Sequence, residues 1–203
     1  MSTGVQVSKA RRIVTDYLGE FGKLLMLVDV DALERIAAHL NSARERRAMI
    51  YVAGNGGSAA IASHWVNDLG KATKRPGCIP MRAMCLSDNT SWLTALANDE
   101  GYERVFSGQL ENFAEAGEVL VVISSSGNSP NLIRAVELAR ERGLVTIGLL
   151  GFDGGMLKHK TDDCLWLRTE KGAYGLVEPA HEMICHLLTM CLASNGLDTP
   201  MAP

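Results

Sequence analysis

Imidazole and carboxylate side chains recur at helical spacing in two segments of the chain. His64 and Asp68 lie four residues apart, and Glu178, Glu182 and His186 repeat at the same interval. Residues four apart share one face of an α-helix. An imidazole and a carboxylate one turn apart can share a metal ion such as zinc, and they can equally form a simple side-chain pair. Charged groups on an otherwise apolar helix need partners, so these two faces are candidates for a metal-binding or catalytic cluster.

Two loops rich in glycine or serine are the second chemical feature. Residues 54–58 read Gly-Asn-Gly-Gly-Ser and residues 124–129 read Ser-Ser-Ser-Gly-Asn-Ser, each after a predicted strand and before a predicted helix. Glycine lets the backbone approach a ligand closely, and a helix N-terminus presents unpaired N–H groups to an anion. The first loop matches neither the dinucleotide pattern nor a Walker A motif. A tight turn capped by Ser58 explains that loop equally well.

The serine-rich loop favours phosphate binding more strongly than the glycine-rich loop does. A capped turn needs only Ser129, which leaves Ser124, Ser125 and Ser126 without a structural reason. In open parallel sheets, ligands bind at the carboxyl ends of the strands, where this loop is expected. We therefore expect it to form an anion site.

Five short apolar runs predict the strands that carry these loops. They lie at residues 48–53, 79–86, 118–123, 144–150 and 164–167. Runs rich in Val, Ile and Leu suit strands buried on both faces. Helical segments lie between most of them, and the clearest runs from Ser129, as N-cap, through Pro130 to Arg142 before Gly143. This alternation predicts an α/β fold with a doubly wound, mostly parallel five-stranded sheet flanked by helices.

The ends of the chain are predicted to be helical. Residues 5–44 have the spacing of two helices, with Asp29 or Asp31 capping the second, and residues 178–193 form an apolar last helix. No linker or repeat is present, so we expect one domain over residues 1–203. It would comprise an N-terminal helical pair (1–45), a core (46–195) and a tail (196–203). The pair could pack on the sheet or on another subunit.

Composition excludes several classes of function. The net charge is −3 and no basic stripe is present, which argues against nucleic-acid binding. No stretch of 18 uncharged apolar residues exists, so no membrane span is expected. Charges interrupt the first 25 residues, so we expect no signal peptide. The five cysteines include no CxxC pair, and they predict a reduced, cytoplasmic protein with buried free thiols.

The motifs together resemble the phosphoheptose isomerases, a family with the sugar isomerase (SIS) domain. The matching segments are residues 54–60, 93–99, 123–130 and 151–155, and the similarity covers nearly the whole chain. The family converts sedoheptulose 7-phosphate into D-glycero-D-manno-heptose 7-phosphate. The resemblance implies a homotetramer with active sites shared between subunits. It also implies a zinc ion, one per subunit.

The resemblance also assigns residues, position by position. It implies a metal set of His64, Asp68, Glu178 and His186, of which the last three would be catalytic. Ser125 replaces a usual threonine of the family. The substrate contacts it implies are Asn55, Gly56, Gly57, Ser58, Asn98, Asp99, Ser124, Ser125, Ser126, Ser129 and Glu178.

Two positions depart from the family pattern. Asp68 stands where the family has glutamate, and the shorter side chain moves the carboxylate by about 1.5 Å. Glu178 stands where the family has glutamine. Its added negative charge would strengthen binding of a divalent metal or demand a different substrate.

The sequence thus predicts an aldose–ketose isomerase that acts on a sugar phosphate by metal-assisted proton transfer through an enediol. Asp68 or Glu178 would be the base and His186 the partner acid. The alternatives are a non-catalytic SIS protein of the kind that associates with a replication initiator, and a sugar-phosphate sensor. The presence of Asp68 and His186 favours the enzyme, because a scaffold needs neither.

Overall fold

A parallel five-stranded sheet forms the centre of the computed structural model, which describes residues 8–194. The strands lie in the order β2-β1-β3-β4-β5, and every neighbouring pair is parallel. The strands are β1 (Met49–Gly54), β2 (Arg82–Cys85), β3 (Val119–Ser124), β4 (Val145–Leu150) and β5 (Asp163–Trp166). The predicted fold class is confirmed.

Helices cover both faces of the sheet. They are α1 (Lys9–Leu25), α2 (Val30–Glu45), α3 (Gly57–Lys71), α4 (Thr90–Asp99), α5 (Ser107–Phe113), α6 (Pro130–Glu141), α7 (Leu157–Lys160) and α8 (Tyr174–Ala193), with a 3₁₀ turn at Tyr102–Arg104. Alternate strand residues enter two cores. Ile50 and Val52 pack with α2, α3 and α8, whereas Tyr51 and Ala53 pack with α4, α5 and α6. Strands buried on both faces explain the continuous apolar runs.

The strand order creates one crevice at the carboxyl edge of the sheet. β2 and β3 lie on opposite sides of β1, so the connections after β1 and β3 leave on opposite faces. Gly54 and Ile123 are paired at the ends of these strands. Ligands of open α/β sheets bind at such a switch point. The glycine-rich and serine-rich loops therefore meet where a ligand is expected.

The N-terminal helices pack on the face that carries α8. Asp29 caps α2, with its Oδ1 accepting from the Ala32 N–H at 2.9 Å, and Arg35 donates twice to Asp163 of β5 at 3.1 Å. Helix α1 contacts α8 but leaves a stripe of apolar side chains exposed. Ile13 and Leu18 are 58% and 60% exposed.

Helix α8 begins at Tyr174, four residues earlier than predicted. Pro179 lies inside it rather than in its first turn, where proline is usually found. Proline has no N–H for the carbonyl of Gly175, one turn earlier. The Tyr17 hydroxyl of α1 donates to that carbonyl at 2.7 Å.

Two expectations remain, one about membrane spans and one about the C-terminal tail. None of the helices within residues 8–194 is long and apolar enough to cross a bilayer. The predicted tail lies outside the described residues.

Candidate active site

A cavity of about 180 Å³ lies at the switch point between β1 and β3. We call it the serine cavity. Among the described residues that line it there is no lysine or arginine, so hydroxyl and amide groups are its candidate donors to an anion. Its lining residues are Asn55, Ser58, Ile123, Ser124, Ser125, Ser126, Ser129, Leu132, Tyr174 and Glu178.

Two serines of this cavity accept backbone hydrogen bonds and keep their own hydrogens for a ligand. Ser124 Oγ accepts from the Gly127 N–H at 3.0 Å, and Ser126 Oγ accepts from the Asn128 N–H at 3.3 Å. Each hydroxyl can still donate one hydrogen bond. Ser124 and Ser126 therefore have a structural role as acceptors, contrary to the expectation from the sequence. Each hydroxyl still keeps its own hydrogen to donate to a ligand.

Ser125 and Ser129 have hydroxyls with no structural use in the described part of the chain. Ser125 Oγ is buried without a hydrogen-bond partner. Ser129 is the N-cap residue of α6, as predicted, but its side chain makes no capping bond. A buried hydroxyl without a partner costs free energy, so an unpaired Ser125 points to a ligand that completes it.

The loop at residues 151–155 packs against the serine loop. Gly127 has φ +63°, and a Cβ there would overlap the carbonyl oxygen of Gly154. The Leu157 N–H donates to the Gly127 carbonyl at 3.0 Å. This close backbone packing gives a physical reason for glycine at position 127 of the serine loop, where that loop meets residues 151–155.

The glycine-rich loop turns sharply into α3. Gly56 has φ +55° and is the N-cap residue, and no side chain caps the helix. The alternative of a turn capped by Ser58 is therefore wrong, and Ser58 lines the serine cavity instead. A Cβ at Gly57 would lie 2.6 Å from the Glu178 carboxylate oxygens. Glycine at this position makes room for that carboxylate beside the cavity.

The second feature is a cluster in which α3 packs beside α8. We call His64, Asp68, Glu182 and His186 the imidazole cluster. His64 Nδ1 contacts Glu182 Oε1, and His186 Nδ1 lies 3.2 Å from Asp68 Oδ2. The two imidazole rings stand 5.2 Å apart, nearly perpendicular. All four groups come from one chain.

This cluster offers ligands that suit zinc. His64, Glu182 and His186 each present a ligand atom, and these atoms lie within 4.8 Å of one another. Two imidazoles and a carboxylate are a usual zinc donor set. Asp68 lies at its edge, with Oδ1 3.8 Å from His64 Nε2.

The structure differs here from the metal set that the resemblance implies. Glu178 is outside the three-ligand group and lines the serine cavity, whereas Glu182 lies inside the group. The reason is helix packing. Glu182, one turn beyond Glu178, is the α8 carboxylate that faces His64, a relation that spacing along one helix does not reveal.

Glu178 lies between the serine cavity and the imidazole cluster. At 1.5 Å per residue, Glu182 and His186 lie about 6 Å and about 12 Å further along α8. Glu178 is thus one and two helical turns from these cluster residues while its carboxylate borders the cavity. A ligand that is held by the serines and extends to the imidazoles would lie alongside Glu178.

Two polar groups on the buried face of α8 stay neutral at pH 7. Burial lowers the pKa of His181 to about 4. Burial raises the pKa of the Cys185 thiol well above 9, and the charges of Glu182 and Asp68 add to the effect. The imidazole cluster lies on the more exposed face of α8, where the His186 side chain is 50% exposed.

Asn98 and Asp99 are not brought to the serine cavity. They lie exposed at the end of α4, where Asn98 Nδ2 donates to Asp99 Oδ1 at 2.7 Å. Tyr174, by contrast, lines the cavity without having been predicted. Its ring packs edge-on against Phe152, with centroids 5.1 Å apart. No sequence pattern indicated Tyr174 as a site residue, because the last helix was expected to begin four residues later.

Comparison with known proteins establishes the family. A family model described as the SIS domain matches residues 16–151, more than half of the chain. A probable phosphoheptose isomerase of Thermoplasma volcanium is 34% identical over 182 residues, which cover 89% of this chain and 91% of that protein. The phosphoheptose isomerase of a Nitratiruptor species is 44% identical over 140 residues, or 68% and 73% of the two chains.

A solved structure agrees with these relatives. The phosphoheptose isomerase of Neisseria gonorrhoeae superposes with a TM-score of 0.84 at 31% identity, covering 92% of this chain and 100% of that one. The chain belongs to the SIS-domain family and, within it, to the phosphoheptose isomerases.

Proposed function

We propose that this chain, as a single domain, interconverts sedoheptulose 7-phosphate and D-glycero-D-manno-heptose 7-phosphate. The observation that carries the proposal is the arrangement along α3 and α8. A serine-lined cavity lies at one position on this helix pair, and a group of two imidazoles and two carboxylates lies further along it. Its family membership supports the same reaction.

The serine cavity holds the phosphate. The hydroxyls of Ser124, Ser125 and Ser126 donate to its oxygens, together with Ser129 and N–H groups at the start of α3 and α6. Hydroxyl donors hold a phosphate without the strong charge pairing that would slow its release. This remote binding energy positions the reacting end of the sugar.

The distance between the two features suits a sugar of this length. Six carbon–carbon bonds of about 1.5 Å reach roughly 8 Å when extended in a zigzag. Glu182 and His186 lie about 6 Å and about 12 Å along α8 from Glu178. With the 7-phosphate among the serines, C1 and C2 lie near the imidazole cluster.

Asp68 takes the proton and His186 is its partner acid. The Asp68 carboxylate removes a proton from C1 of the ketose and returns it to C2, and the imidazole donates to the carbonyl oxygen and takes the proton back from the neighbouring hydroxyl. The two groups lie 3.2 Å apart, close enough to exchange a proton. Glu178 borders the cavity and accepts hydrogen bonds from the sugar hydroxyls.

A zinc ion held by His64, Glu182 and His186, with Asp68 at its edge, would polarise the substrate carbonyl in place of the His186 proton and stabilise the negative charge that develops on it. The contribution of the chain to this chemistry is to fix the ligands. Both imidazoles are held against carboxylates from the neighbouring helix.

The test is incubation with a panel of ketose and aldose phosphates, with zinc supplied and after treatment with a chelator. We expect turnover of sedoheptulose 7-phosphate, followed by proton NMR of the aldose product, and loss of turnover after chelation. Zinc is measured in the same samples by mass spectrometry. Binding of a sugar phosphate without turnover would show that the chain is a sensor rather than an enzyme. A chain that neither binds nor converts any sugar phosphate would be a scaffold.

The proposal extends to assembly and compartment. The exposed apolar stripe of α1 supports a homotetramer, because contiguous apolar surface of this kind marks protein–protein contacts. Asn98 and Asp99, exposed on α4, would contact substrate across a subunit boundary. All five cysteines lie within the described residues and none forms a disulfide there, which supports the cytoplasm. Light scattering of the purified chain tests the tetramer.

A further inference from the structure

An amide pair joins the two loops of the serine cavity. Asn55, in the glycine-rich loop, donates from Nδ2 to Oδ1 of Asn131 at 3.0 Å. Asn131, in the first turn of α6, donates back from Nδ2 to Oδ1 of Asn55 at 2.9 Å. Asn131 is only 2% exposed. Two hydrogen bonds therefore tie the loop after β1 to the helix after the serine loop.

Two further donors fix which way each amide points. The Leu132 N–H donates to Asn131 Oδ1 at 3.0 Å, and an N–H can only donate, so that atom must be the oxygen. Its partner on Asn55 must then be the nitrogen. The Tyr102 hydroxyl donates to Asn55 Oδ1 at 3.0 Å, which is consistent with this orientation. Neither amide can flip without losing a hydrogen bond.

The fixed orientation leaves Asn55 with one N–H to spare. An amide nitrogen carries two hydrogens, and the Asn131 pair uses one of them. Within residues 8–194, no acceptor takes the second. Asn55 also lines the serine cavity, so this N–H is available to an anion bound there.

We propose that Asn131 and Tyr102 are positioning residues, which hold the Asn55 carboxamide so that its second N–H donates to the phosphate in the serine cavity. The inference rests on the proposed function only in identifying the bound anion as the phosphate of the sugar. Asn131 and Tyr102 do not line the serine cavity. They line a neighbouring cavity of about 520 Å³ that shares Asn55 and Ser129 as a wall. They therefore act through Asn55.

The experiment measures phosphate binding separately from turnover. Tyr102→Phe removes one hydroxyl from a side chain that is 56% exposed, so folding is not at risk. Asn131→Leu removes the amide pair. Asn112→Leu is the matched control, because Asn112 lies exposed on α5 and bonds only to the Gly108 carbonyl of its own helix. Calorimetry gives the Kd of inorganic phosphate and of sedoheptulose 7-phosphate, and kinetics give KM and kcat.

We expect Tyr102→Phe to weaken both affinities about threefold to tenfold, and Asn131→Leu on the order of tenfold to a hundredfold. KM should rise in parallel while kcat stays within about twofold, because the reacting end of the sugar is unaffected. Asn112→Leu should change neither. A purely structural role would instead lower the active fraction, so that kcat falls at unchanged KM.

Unchanged Kd values in Tyr102→Phe and in folded Asn131→Leu would overturn the inference, as would a fall in kcat alone. If the wild-type chain binds sugar phosphate but does not isomerise it, the proposed reaction fails, and the Kd comparison still decides this inference. A wild-type chain that binds neither phosphate nor sugar phosphate would overturn both.

Discussion

The serine cavity and the imidazole cluster lie on the same pair of helices but are built in different ways. The cavity is shaped by backbone at the ends of β1 and β3, with small side chains and close glycine contacts. The cluster consists of side chains on helix faces. The His64 and His186 side chains are 48% and 50% exposed, and those of Asp68 and Glu182 are 17% and 30% exposed. Backbone contacts fix the first, and side-chain contacts alone fix the second.

Because of this difference, we expect the residues that stabilise the fold to be distinct from the residues that carry the chemistry. A change in a backbone-built cavity must disturb the packing of neighbouring loops, whereas an exposed side chain on a helix can be exchanged at little cost to folding. The comparison therefore predicts that variants of the two exposed imidazoles, His64 and His186, lose activity and keep stability. Variants of the cavity backbone should lose both.

The largest effect is expected in the imidazole cluster. Asp68→Asn and His64→Gln should lower kcat about 10²- to 10⁴-fold, because each removes a group for proton transfer or for holding the metal. Bound zinc should fall in His64→Gln, while the free energy of unfolding changes by less than about 1 kcal/mol. His159→Gln, at an exposed position, is the control. Full activity in both cluster variants would reject the assignment.

The next largest effect should come from the backbone of the serine loop. Gly127→Ala should destabilise the chain by roughly 4 kcal/mol, because its φ is +63° and the new Cβ would overlap the Gly154 carbonyl. Gly172→Ala is the matched control. Its φ of +94° is also positive, but nothing lies within 4 Å of its Cβ position. Urea unfolding should show a clearly smaller loss there, and equal losses would mean that the loop contact contributes nothing.

The Ser125 hydroxyl should lower the stability of the free chain and strengthen the binding of sugar phosphate. Ser125→Ala removes a buried, unpaired hydroxyl, so the free chain should gain about 1 kcal/mol of stability. The same change should weaken sugar-phosphate binding about tenfold, since one donor is lost. Thermal unfolding with and without ligand measures both. A variant less stable than the wild type would show that the hydroxyl has a structural partner.

The smallest effect is expected at Glu178, where the two regions meet. Glu178→Gln removes a negative charge beside the phosphate, so the Kd of inorganic phosphate should fall about threefold to tenfold. The kcat value should fall far less than in Asp68→Asn. A loss in kcat as large as that of Asp68→Asn would move the base from Asp68 to Glu178.

The two regions also differ in how far the sequence predicts them. Strand ends are fixed by register, so apolar runs followed by residues 54–58 and 124–129 were enough to place both loops at one crevice. Ser124 and Ser126 were correctly placed in that crevice. Their backbone hydrogen bonds were not foreseen, because they depend on the turn conformation of residues 124–128, which residue types alone do not specify.

The cluster was predicted less completely because it depends on which residues of two helices meet. Spacing gives the face of each helix but not the offset between helices. His64 and His186 were identified, whereas Glu182 rather than Glu178 faces His64. Asn131 and Tyr102 had no signal, since an amide in a first helical turn and an exposed tyrosine are ordinary features.

Pro179 gives the N-terminal helix a point of attachment beside the site. The proline leaves one carbonyl of α8 without its usual partner, and a hydroxyl from α1 takes that place. Relatives that carry another residue at 179 regain the N–H and no longer need a tyrosine at 17, so the two positions should covary. Because Glu178 directly precedes Pro179, any subunit that docks on α1 would be mechanically linked to the wall of the serine cavity.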